Sequence, residues 1–270
     1  MEIKQKAAAN LLALKEKRPL VHHITNYVTV NDCANIVLAI GGSPVMADDL
    51  REVEEMVGLA SALVLNIGTL NSRTVESMLA AGKQAKILGI PVILDPVGVG
   101  ATNLRTRTAH DLIQEVQPEV IRGNMSEIKL LAGREVAIKG VDSAADEQDG
   151  VAIAKQLASA WNCVIAITGK TDIVSDGQNV CLLDNGHPIL ADVTGTGCMT
   201  TSLIGAYCGA NRDCFTAAIA GIVSMGLAGE MAYASLRADE GIGTFRARLF
   251  DKIYRLSPEA LAQGGKITCV

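Results

Sequence analysis

Residues 62–95 read ALVLNIGTLNSRTVESMLAAGKQAKILGIPVILD, and this stretch decides the fold class. Its first seven residues form an apolar run that ends in a glycine turn, which predicts a buried strand. Residues 72–88 follow with helical spacing, and residues 91–95 form a second apolar strand. Apolar strands that alternate with helices are typical of a parallel sheet covered on both faces.

The rest of the chain continues this alternation and then departs from it. Gly169-Lys170, Asp176-Gly177 and Asn185-Gly186 punctuate short strands, which predicts antiparallel hairpins. Helices are expected to dominate from Cys198 to the C-terminus. The other expected elements are, in order, a helix over 106–115, a strand over 119–122, a helix from Ser126, an acidic loop over 142–150, a helix ending at Trp161 and a strand over 164–168. These elements predict a single three-layer α/β/α domain over residues 1–270, with a mainly parallel central sheet and a small antiparallel extension.

The composition limits the possible partners. The chain has 270 residues, of which 49% are apolar and 20% charged, so a large core can form. Twenty-four basic and 29 acidic residues give a net charge of −5, and no basic run suggests a nucleic-acid surface. We therefore expect no nucleic-acid partner.

Three features bear on localisation. Residues 194–210 and 214–229 carry no charge, but each is shorter than the ~20 apolar residues of a membrane span. We expect buried helices there, inside the protein or its oligomer, and no membrane partner. The N-terminus lacks the apolar core of a signal peptide. The seven cysteines form no C-x-x-C pair, so we expect reduced thiols in a cytoplasmic protein.

Asp95 is a candidate ligand for a metal ion. Ligands of parallel α/β sheets bind at the carboxyl ends of the strands, and Asp95 directly follows four apolar residues. An Asp at this position can also cap the loop over residues 96–103. The metal role is favoured because a metal or phosphate site needs carboxylates at this edge.

Arg122, Asn124 and Glu127 form a second candidate group. Arg122 closes a strand, and an arginine fork suits phosphate oxygens. Asn124 as N-cap, with Glu127 reaching back, would form a variant of the capping box. The same helix start can present Glu127 to hydrated Mg²⁺, so the two roles are compatible.

The turn Asp192-Val193-Thr194-Gly195-Thr196-Gly197-Cys198 is the strongest local signal. Its glycines let the backbone approach an anion, and the helix that follows offers its first N–H groups. A dinucleotide fingerprint is excluded because Thr200 stands where Gly is needed. A P-loop ending at Gly169-Lys170-Thr171 is excluded because Val164 replaces its first glycine.

Four residues near the N-terminus are weaker candidates. The spacing of His22-His23 does not suit a metal pair, so core or loop histidines are favoured there. Asn26 suits hydrogen bonding to a small polar ligand. Met46 is either a core residue or the soft wall of a pocket for an apolar heterocycle.

Asn124-x-x-Glu127 together with Asp192-x-Thr194-Gly195-x-Gly197 resembles the ribokinase-like superfamily. Within it, the chain resembles the hydroxyethylthiazole kinase family over residues 19–210. The segments that carry this closer match are residues 19–22, 25–26, 42–46, 65–70, 94–101, 121–124 and 166–169.

The resemblance implies ATP-dependent phosphorylation of the primary alcohol of 4-methyl-5-(2-hydroxyethyl)thiazole in thiamine salvage, with Mg²⁺. It also implies a homotrimer with active sites at subunit interfaces. Carried over by position, the implied roles are substrate binding by Asn26, Met46, Gly68 and Gly195, ATP binding by Arg122, Asn124 and Thr168, a metal site at Asp95 and Glu127, and a catalytic anion hole at Gly195, Thr196, Gly197 and Cys198.

Cys198 marks a departure from most of the superfamily, which has an Asp there that is taken as the catalytic base. The thiazole kinases resemble this sequence in having Cys. A helix N-terminus can lower the pKa of a thiol, but positioning and charge stabilisation supply most of the acceleration in phosphoryl transfer. We therefore expect Cys198 to serve mainly in the anion hole.

Two rival functions stay open at this stage. One is another kinase of the superfamily, such as a hydroxymethylpyrimidine kinase. The other is a non-catalytic thiazole or nucleotide sensor, which Cys198 keeps possible and which Asp95, Arg122 and Glu127 argue against.

Overall fold

The computed structural model describes residues 2–133 and 143–270. The strands are β1 (Leu20–Ile24), β2 (Ser43–Val45), β3 (Ala62–Asn66), β4 (Val92–Asp95), β5 (Val120–Asn124), β6 (Val164–Thr168), β7 (Asp172–Ser175), β8 (Val180–Leu183) and β9 (Ile267–Cys269). The helices are α1 (Ile3–Lys17), α2 (Val30–Ile40), α3 (Val53–Leu59), α4 (Ser72–Leu88), α5 (Asn103–Glu115), α6 (Met125–Leu131), α7 (Ser143–Trp161), α8 (Thr196–Ala210), α9 (Cys214–Ala234), α10 (Ile242–Tyr254) and α11 (Pro258–Gly264), with a 3₁₀ turn over Pro188–Asp192.

The strands form one sheet in the order β2-β1-β3-β4-β5-β6-β7-β8-β9. Neighbours from β2 to β6 are parallel, and the pairs from β6 to β9 are antiparallel. This confirms the predicted mainly parallel sheet with an antiparallel extension. The connections leave β1 in opposite directions, towards β2 and β3, and ligands of such sheets bind in the crevice at this reversal.

Alternation along the strands produces the two outer layers. Val64 of β3 belongs to an apolar cluster with Leu203 of α8, whereas Leu63 and Leu65 belong to a second cluster with Met78 of α4. Successive strand residues point to opposite faces, so β3 is apolar on both faces from Ala62 to Leu65.

The two uncharged segments form α8 and α9, which lie against each other and are largely buried. Glycines allow the close approach: a β-carbon at Gly205 would lie 2.6 Å from Val64 Cγ2, and one at Gly221 would lie 2.9 Å from the backbone nitrogen of Ile204. Among the described residues, α9 is long and apolar enough to cross a membrane, yet 78% of its most apolar segment is buried inside the protein.

Two expectations from the sequence are wrong. The acidic loop over 142–150 is helical from Ser143 onwards, because acidic residues in first turns are compatible with the helix dipole (Asp142 lies outside the described residues). Helices dominate the C-terminal region as predicted, and the sequence analysis did not foresee the short strand β9. Cys181 and Cys269 form a disulfide, because the pairing of β8 with β9 places them opposite each other. The other five cysteines are free.

Candidate active site

A series of hydrogen bonds between buried side chains, two amides and one carboxylate, crosses the carboxyl ends of β1, β3 and β4. Asn26 follows β1, and its Nδ2 donates a hydrogen bond of 3.0 Å to Oδ1 of Asn66 at the end of β3. Nδ2 of Asn66 donates in turn to Oδ2 of Asp95, also at 3.0 Å. The parallel register sets Asn66 opposite Asp95. Asn26 and Asn66, 40 positions apart, and Asn66 and Asp95, 29 positions apart, therefore meet at one edge of the sheet.

Asp95 is fully buried at the centre of this edge. Its Oδ2 also accepts a hydrogen bond of 2.8 Å from Oγ1 of Thr201 in α8. Oδ1 has no hydrogen-bond partner among the described residues. Burial raises the pKa of Asp95 to about 6, and the nearby cation of Arg122 opposes this shift. The carboxylate thus has one oxygen held by the protein and one buried oxygen without a partner among the described residues.

Arg122 connects Asp95 to the neighbouring strand and to α8. Its Nη1 lies 3.7 Å from Oδ2 of Asp95, and its Nη2 donates a 2.5 Å hydrogen bond to Oγ1 of Thr168 at the end of β6. A β-carbon at Gly197 would lie only 2.7 Å from Nη1. The guanidinium therefore lies directly beneath the first turn of α8.

The glycine-rich turn lets other parts of the protein approach the start of α8 closely. Gly195 is the N-cap with φ +90°, in the left-handed region, and a β-carbon there would lie 2.6 Å from Cγ2 of Thr29. Oγ1 of Thr196 donates to the carbonyl oxygen of Leu190 at 3.0 Å. The first N–H groups of an α-helix lack partners within the helix, so this end can receive an anion.

Cys198 lies in the first turn of α8, between the two asparagines. Its Sγ accepts hydrogen bonds from Nδ2 of Asn26 at 3.4 Å and from Nδ2 of Asn66 at 3.3 Å. Burial raises the pKa of the Cys198 thiol, and the negative charge of Asp95 raises it further. The lowered thiol pKa that a helix N-terminus can produce is therefore not seen at Cys198.

Asn124 and Glu127 form the expected capping box at the start of α6. Oδ1 of Asn124 accepts from the Glu127 N–H at 2.9 Å, and Oε2 of Glu127 accepts from the Asn124 N–H at 2.8 Å. Oε1 of Glu127 also accepts from the Gly98 N–H at 2.9 Å, which ties α6 to the loop after β4. A carboxylate oxygen has a second lone pair, so Glu127 can still face a cation.

Gly68 and Met46 follow β3 and β2, on the side of Asp95 that is opposite to Arg122. The Gly68 N–H donates to Oδ1 of Asn66 at 2.9 Å, and a β-carbon at Gly68 would lie 3.0 Å from Cβ of Asn26. Met46 is half-buried directly after β2, at the same edge of the sheet. The side chains of Asn26 and Asn66 therefore approach the Gly68 backbone so closely that a larger residue at this position would displace them.

A cavity of about 550 Å³ adjoins the other side of Arg122. Its wall includes Thr168, Gly197, the 185–188 loop and Met225 of α9. This cavity and the Asn26–Gly68 side meet at Arg122 and the start of α8.

Asp172 is a buried acid in the wall of this cavity. It accepts a hydrogen bond of 2.8 Å from the Gly169 N–H. Burial raises its pKa to about 7, which the Arg122 cation opposes and Asp184 reinforces. The sequence analysis missed Asp172 and Thr201, and it placed Asn66 at a strand end without giving it a role. Asn66 had the same signal as Asp95, a polar residue at the end of an apolar strand.

The histidine pair is part of the core, as the sequence analysis favoured. Nε2 of His22 lies 2.8 Å from the carbonyl oxygen of Ala47, and Nε2 of His23 lies 3.1 Å from Oγ of Ser202. Burial lowers the pKa of both side chains, that of His23 to about 4. Neutral imidazoles bonded to the protein in this way have no role in the candidate site.

The acids at this edge suit a cation that is shared with a ligand. Within residues 2–133 and 143–270, no three His, Cys, Asp or Glu side chains form a group that holds a metal by itself. Mg²⁺ usually takes one or two carboxylates and completes its shell with waters and substrate phosphates. The unpartnered Oδ1 of Asp95 fits such a site.

Two comparisons of the sequence with known proteins agree. A family model described as Hydroxyethylthiazole kinase family matches residues 11–259. A hydroxyethylthiazole kinase of Clostridium tetani is 53% identical over 272 residues, covering 99% of both chains.

The likenesses among solved structures agree with the sequence comparison. The hydroxyethylthiazole kinase protein of Pyrococcus horikoshii OT3 is 39% identical and superposes with a TM-score of 0.90 over 98% of this chain and 99% of that one. A pyridoxal kinase of Staphylococcus aureus, solved with AMP-PCP and pyridoxal, shares the fold at a TM-score of 0.55 and 14% identity, over 76% and 84% of the two chains.

Proposed function

This chain belongs to the hydroxyethylthiazole kinase family, and we propose that the edge of the sheet at Asp95 and Arg122 is the place where it phosphorylates its substrate. The fold is ribokinase-like. The enzyme transfers a phosphoryl group from ATP to the primary alcohol of 4-methyl-5-(2-hydroxyethyl)thiazole in thiamine salvage. The roles of individual residues, the metal ion and the oligomeric state are proposals.

One observation carries the assignment of the site. Arg122 touches a buried carboxylate, Asp95, on one side and the first turn of α8, at Gly197, on the other. Phosphoryl transfer is catalysed mainly by positioning and by stabilising charge on the transferred group. A guanidinium beneath a helix N-terminus supplies positive charge and N–H donors at one point.

ATP is proposed to occupy the cavity beside Arg122. The cavity of about 550 Å³ falls in the range of ordinary small-molecule sites. Arg122 and Thr168 lie at its inner end, so the phosphates would point towards α8 and Asn124 would stand at the neighbouring strand end. The Thr168 hydroxyl fixes the guanidinium through the 2.5 Å hydrogen bond, which leaves Nη1 directed towards Gly197.

The thiazole alcohol is proposed to bind on the opposite side, against Asn26, Met46, Gly68 and Gly195. The N–H groups of Gly195, Thr196, Gly197 and Cys198 would then surround the phosphoryl group between the two ligands. Removing one donor from such a hole typically lowers a rate by about 10²–10³-fold. Cys198 contributes here through its position, because its raised thiol pKa does not suit a general base at neutral pH.

Asp95 and Glu127 would hold Mg²⁺ together with the phosphates of ATP. When bound, the ion would offset the negative charge on the phosphate oxygens. The protein's part is to leave the buried Oδ1 of Asp95 without a protein partner while Asn66 and Thr201 hold Oδ2.

A homotrimer with sites at subunit interfaces is the proposed assembly, in the cytoplasm. Its support is an apolar surface beside the site, where Tyr27 is 78% and Val28 60% exposed. Burial of such residues against another subunit would stabilise the assembly. Sedimentation of the purified protein should give three copies, and a monomer that retains full activity would remove this proposal.

The decisive experiment measures ADP formation with ATP and a panel of alcohol acceptors. We expect turnover that depends on the thiazole alcohol and not on hydroxymethylpyrimidine. Asp95→Asn should abolish turnover yet keep the fold, because Asn can still accept the hydrogen bonds of Asn66 and Thr201.

Asp239→Asn, at a position whose side chain is 80% exposed, is the matched control and should retain full activity. Turnover with the pyrimidine alone would reassign the substrate, and binding of ATP and thiazole without turnover would make the protein a sensor. Full activity of Asp95→Asn would show that the site lies elsewhere.

A further inference from the structure

Arg105, in the first turn of α5, connects two loops at the candidate site. Its Nη1 donates hydrogen bonds to the carbonyl oxygens of Ile67 at 3.0 Å and of Val97 at 2.6 Å. Its Nη2 donates to the carbonyl oxygen of Gly68 at 2.7 Å. One guanidinium thus binds three carbonyl groups from the segments that follow β3 and β4.

The location of Arg105 is unfavourable for a cation in isolation. The N-terminal turn of a helix carries partial positive charge, which repels a cation placed there. The three carbonyl groups offset this, since their partial negative charges face the guanidinium. Those carbonyls follow the strand ends, where the ladder of hydrogen bonds stops, so Arg105 also supplies them with donors.

Each of the two loops carries a proposed element of the site. The Gly68 N–H binds Oδ1 of Asn66, on the side proposed for the thiazole alcohol. The loop after Asp95 includes Gly98, whose N–H binds Oε1 of Glu127. The distance between the proposed alcohol site at Gly68 and the acidic side chain of Glu127 therefore depends on how the two loops are held together. Arg105 is the side chain that joins them.

We propose that Arg105 is a positioning residue for the phosphoryl transfer, and that it fixes the Gly68 loop relative to the Asp95–Gly98 loop. This inference rests on the proposed location of the site. Arg105 does not touch the substrate in this role. It keeps the bound alcohol in line with the phosphoryl group, so that the alcohol and not water is the acceptor.

The geometry of the side chain makes the role specific to arginine. A guanidinium has five N–H donors in a planar fork, and it can bind three fixed carbonyls at once. A lysine has a single ammonium on a flexible stem and cannot reproduce this arrangement. Displacement of a reacting group by about 1 Å can lower a rate by about 10²-fold.

The experiment compares Arg105→Met and Arg105→Lys with wild type and with Arg107→Met, which changes an exposed arginine of the same helix. Four quantities are measured with ATP and the thiazole alcohol: kcat, KM for each substrate, the ratio of ADP to phosphorylated product, and Tm. Arg105→Met should lower kcat/KM for the alcohol by about 10²-fold and leave KM for ATP within about twofold.

The ratio of ADP to product separates positioning from a general structural role. Wild type and Arg107→Met should give a ratio near one. Arg105→Met should give an excess of ADP, because water replaces the misplaced alcohol, and Arg105→Lys should lie between Arg105→Met and wild type. A variant that is merely less stable would lose active protein but keep the ratio and both KM values.

The outcomes are distinct from those that test the site itself. A wild-type enzyme that does not phosphorylate the alcohol contradicts the proposed function. An active wild type with unchanged ratio and KM values in folded Arg105→Met contradicts the role of Arg105. If Arg105→Met does not fold, Arg105→Lys decides by the same ratio, and failure of both to fold would show that Arg105 serves the whole fold instead.

Discussion

The guanidinium of Arg122 packs so closely under Gly197 that a β-carbon at Gly197 would lie 2.7 Å from Nη1. Gly197 does not have a positive φ, so its backbone would accept any residue and only the space excludes one. The glycine at this position of the turn is therefore explained by the arginine beneath it.

Gly197→Ala tests this relationship. The added methyl group should displace the Arg122 guanidinium from Asp95 and Thr168, and kcat/KM for ATP should fall by about 10²-fold. Steady-state kinetics with varied ATP measure the effect. Gly243→Ala in α10 is the control: its β-carbon would meet nothing within 4 Å, so activity should be unchanged. An unchanged kcat/KM in Gly197→Ala would mean that the position of Arg122 is unimportant for ATP.

Cys198→Ser tests whether the thiol is a base. A serine hydroxyl can still accept the hydrogen bonds of Asn26 and Asn66, so the anion-hole role predicts a single-turnover rate within about tenfold of wild type. Loss of a general base would lower the rate by about 10²–10⁴-fold. Cys198→Asp is the companion variant. A collapse in the serine enzyme that aspartate does not rescue would contradict our assignment.

The sequence predicted the strands well where burial on both faces required continuous apolar residues. The strand over 164–168 and the helix over 72–88 have the predicted bounds. The start of α7 was wrong because its acidic composition is compatible with both a loop and a first turn. The pairing of Cys181 with Cys269 depends on the register of two strands, and their spacing of 88 residues gave no sign of it.

The candidate site was predictable in part, for a topological reason. Parallel strands bring their carboxyl ends to one edge, so Asp95 and Arg122 could be grouped without a structure. The hydrogen bonds of Asn66, Thr201 and Arg105 depend on side-chain directions that no local pattern records. The single domain over residues 1–270 and the role of each site residue stay predictions.

Asp172→Asn should change the pH dependence of stability. The folded-state pKa of about 7 lies above the ordinary value of 3.8, because burial disfavours the carboxylate. Between these values the folded protein holds a proton that the unfolded chain has released. The contribution of Asp172 is therefore most favourable below pH 3.8 and is lost as the pH rises to about 7.

An asparagine at position 172 remains neutral and can still accept the hydrogen bond of the Gly169 N–H. The stability of the variant should therefore not fall with rising pH on account of this residue. The free energy of unfolding of Asp172→Asn relative to wild type should rise by up to ~4 kcal/mol between low and neutral pH. Urea denaturation across the pH range measures it, with Asp239→Asn as the exposed control. A constant difference at all pH values would show that Asp172 is ionised normally in the folded state.

Cys269→Ser tests the disulfide between β8 and β9. Cys269 is exposed while Cys181 is buried, so replacing Cys269 removes the bond without changing the core. The disulfide joins residues 88 positions apart and so restricts the unfolded chain. Loss of the disulfide should lower the free energy of unfolding by about 2–4 kcal/mol. Denaturation with and without a thiol reductant measures this, and mass spectrometry of peptides confirms the pairing.

Loss of the disulfide should also weaken ATP binding. Lys266, next to β9, donates its N–H to Oδ1 of Asn185 at 2.7 Å, and Asn185 lies in the wall of the cavity beside Arg122. A looser β9 would release this loop, so KM for ATP should rise in the variant and in reduced wild type alike. Because the variant has no bond to reduce, the reductant should not change it further. Equal stability and equal KM for ATP in oxidised and reduced wild type would show that the pairing of β8 with β9 holds the loop without the covalent bond.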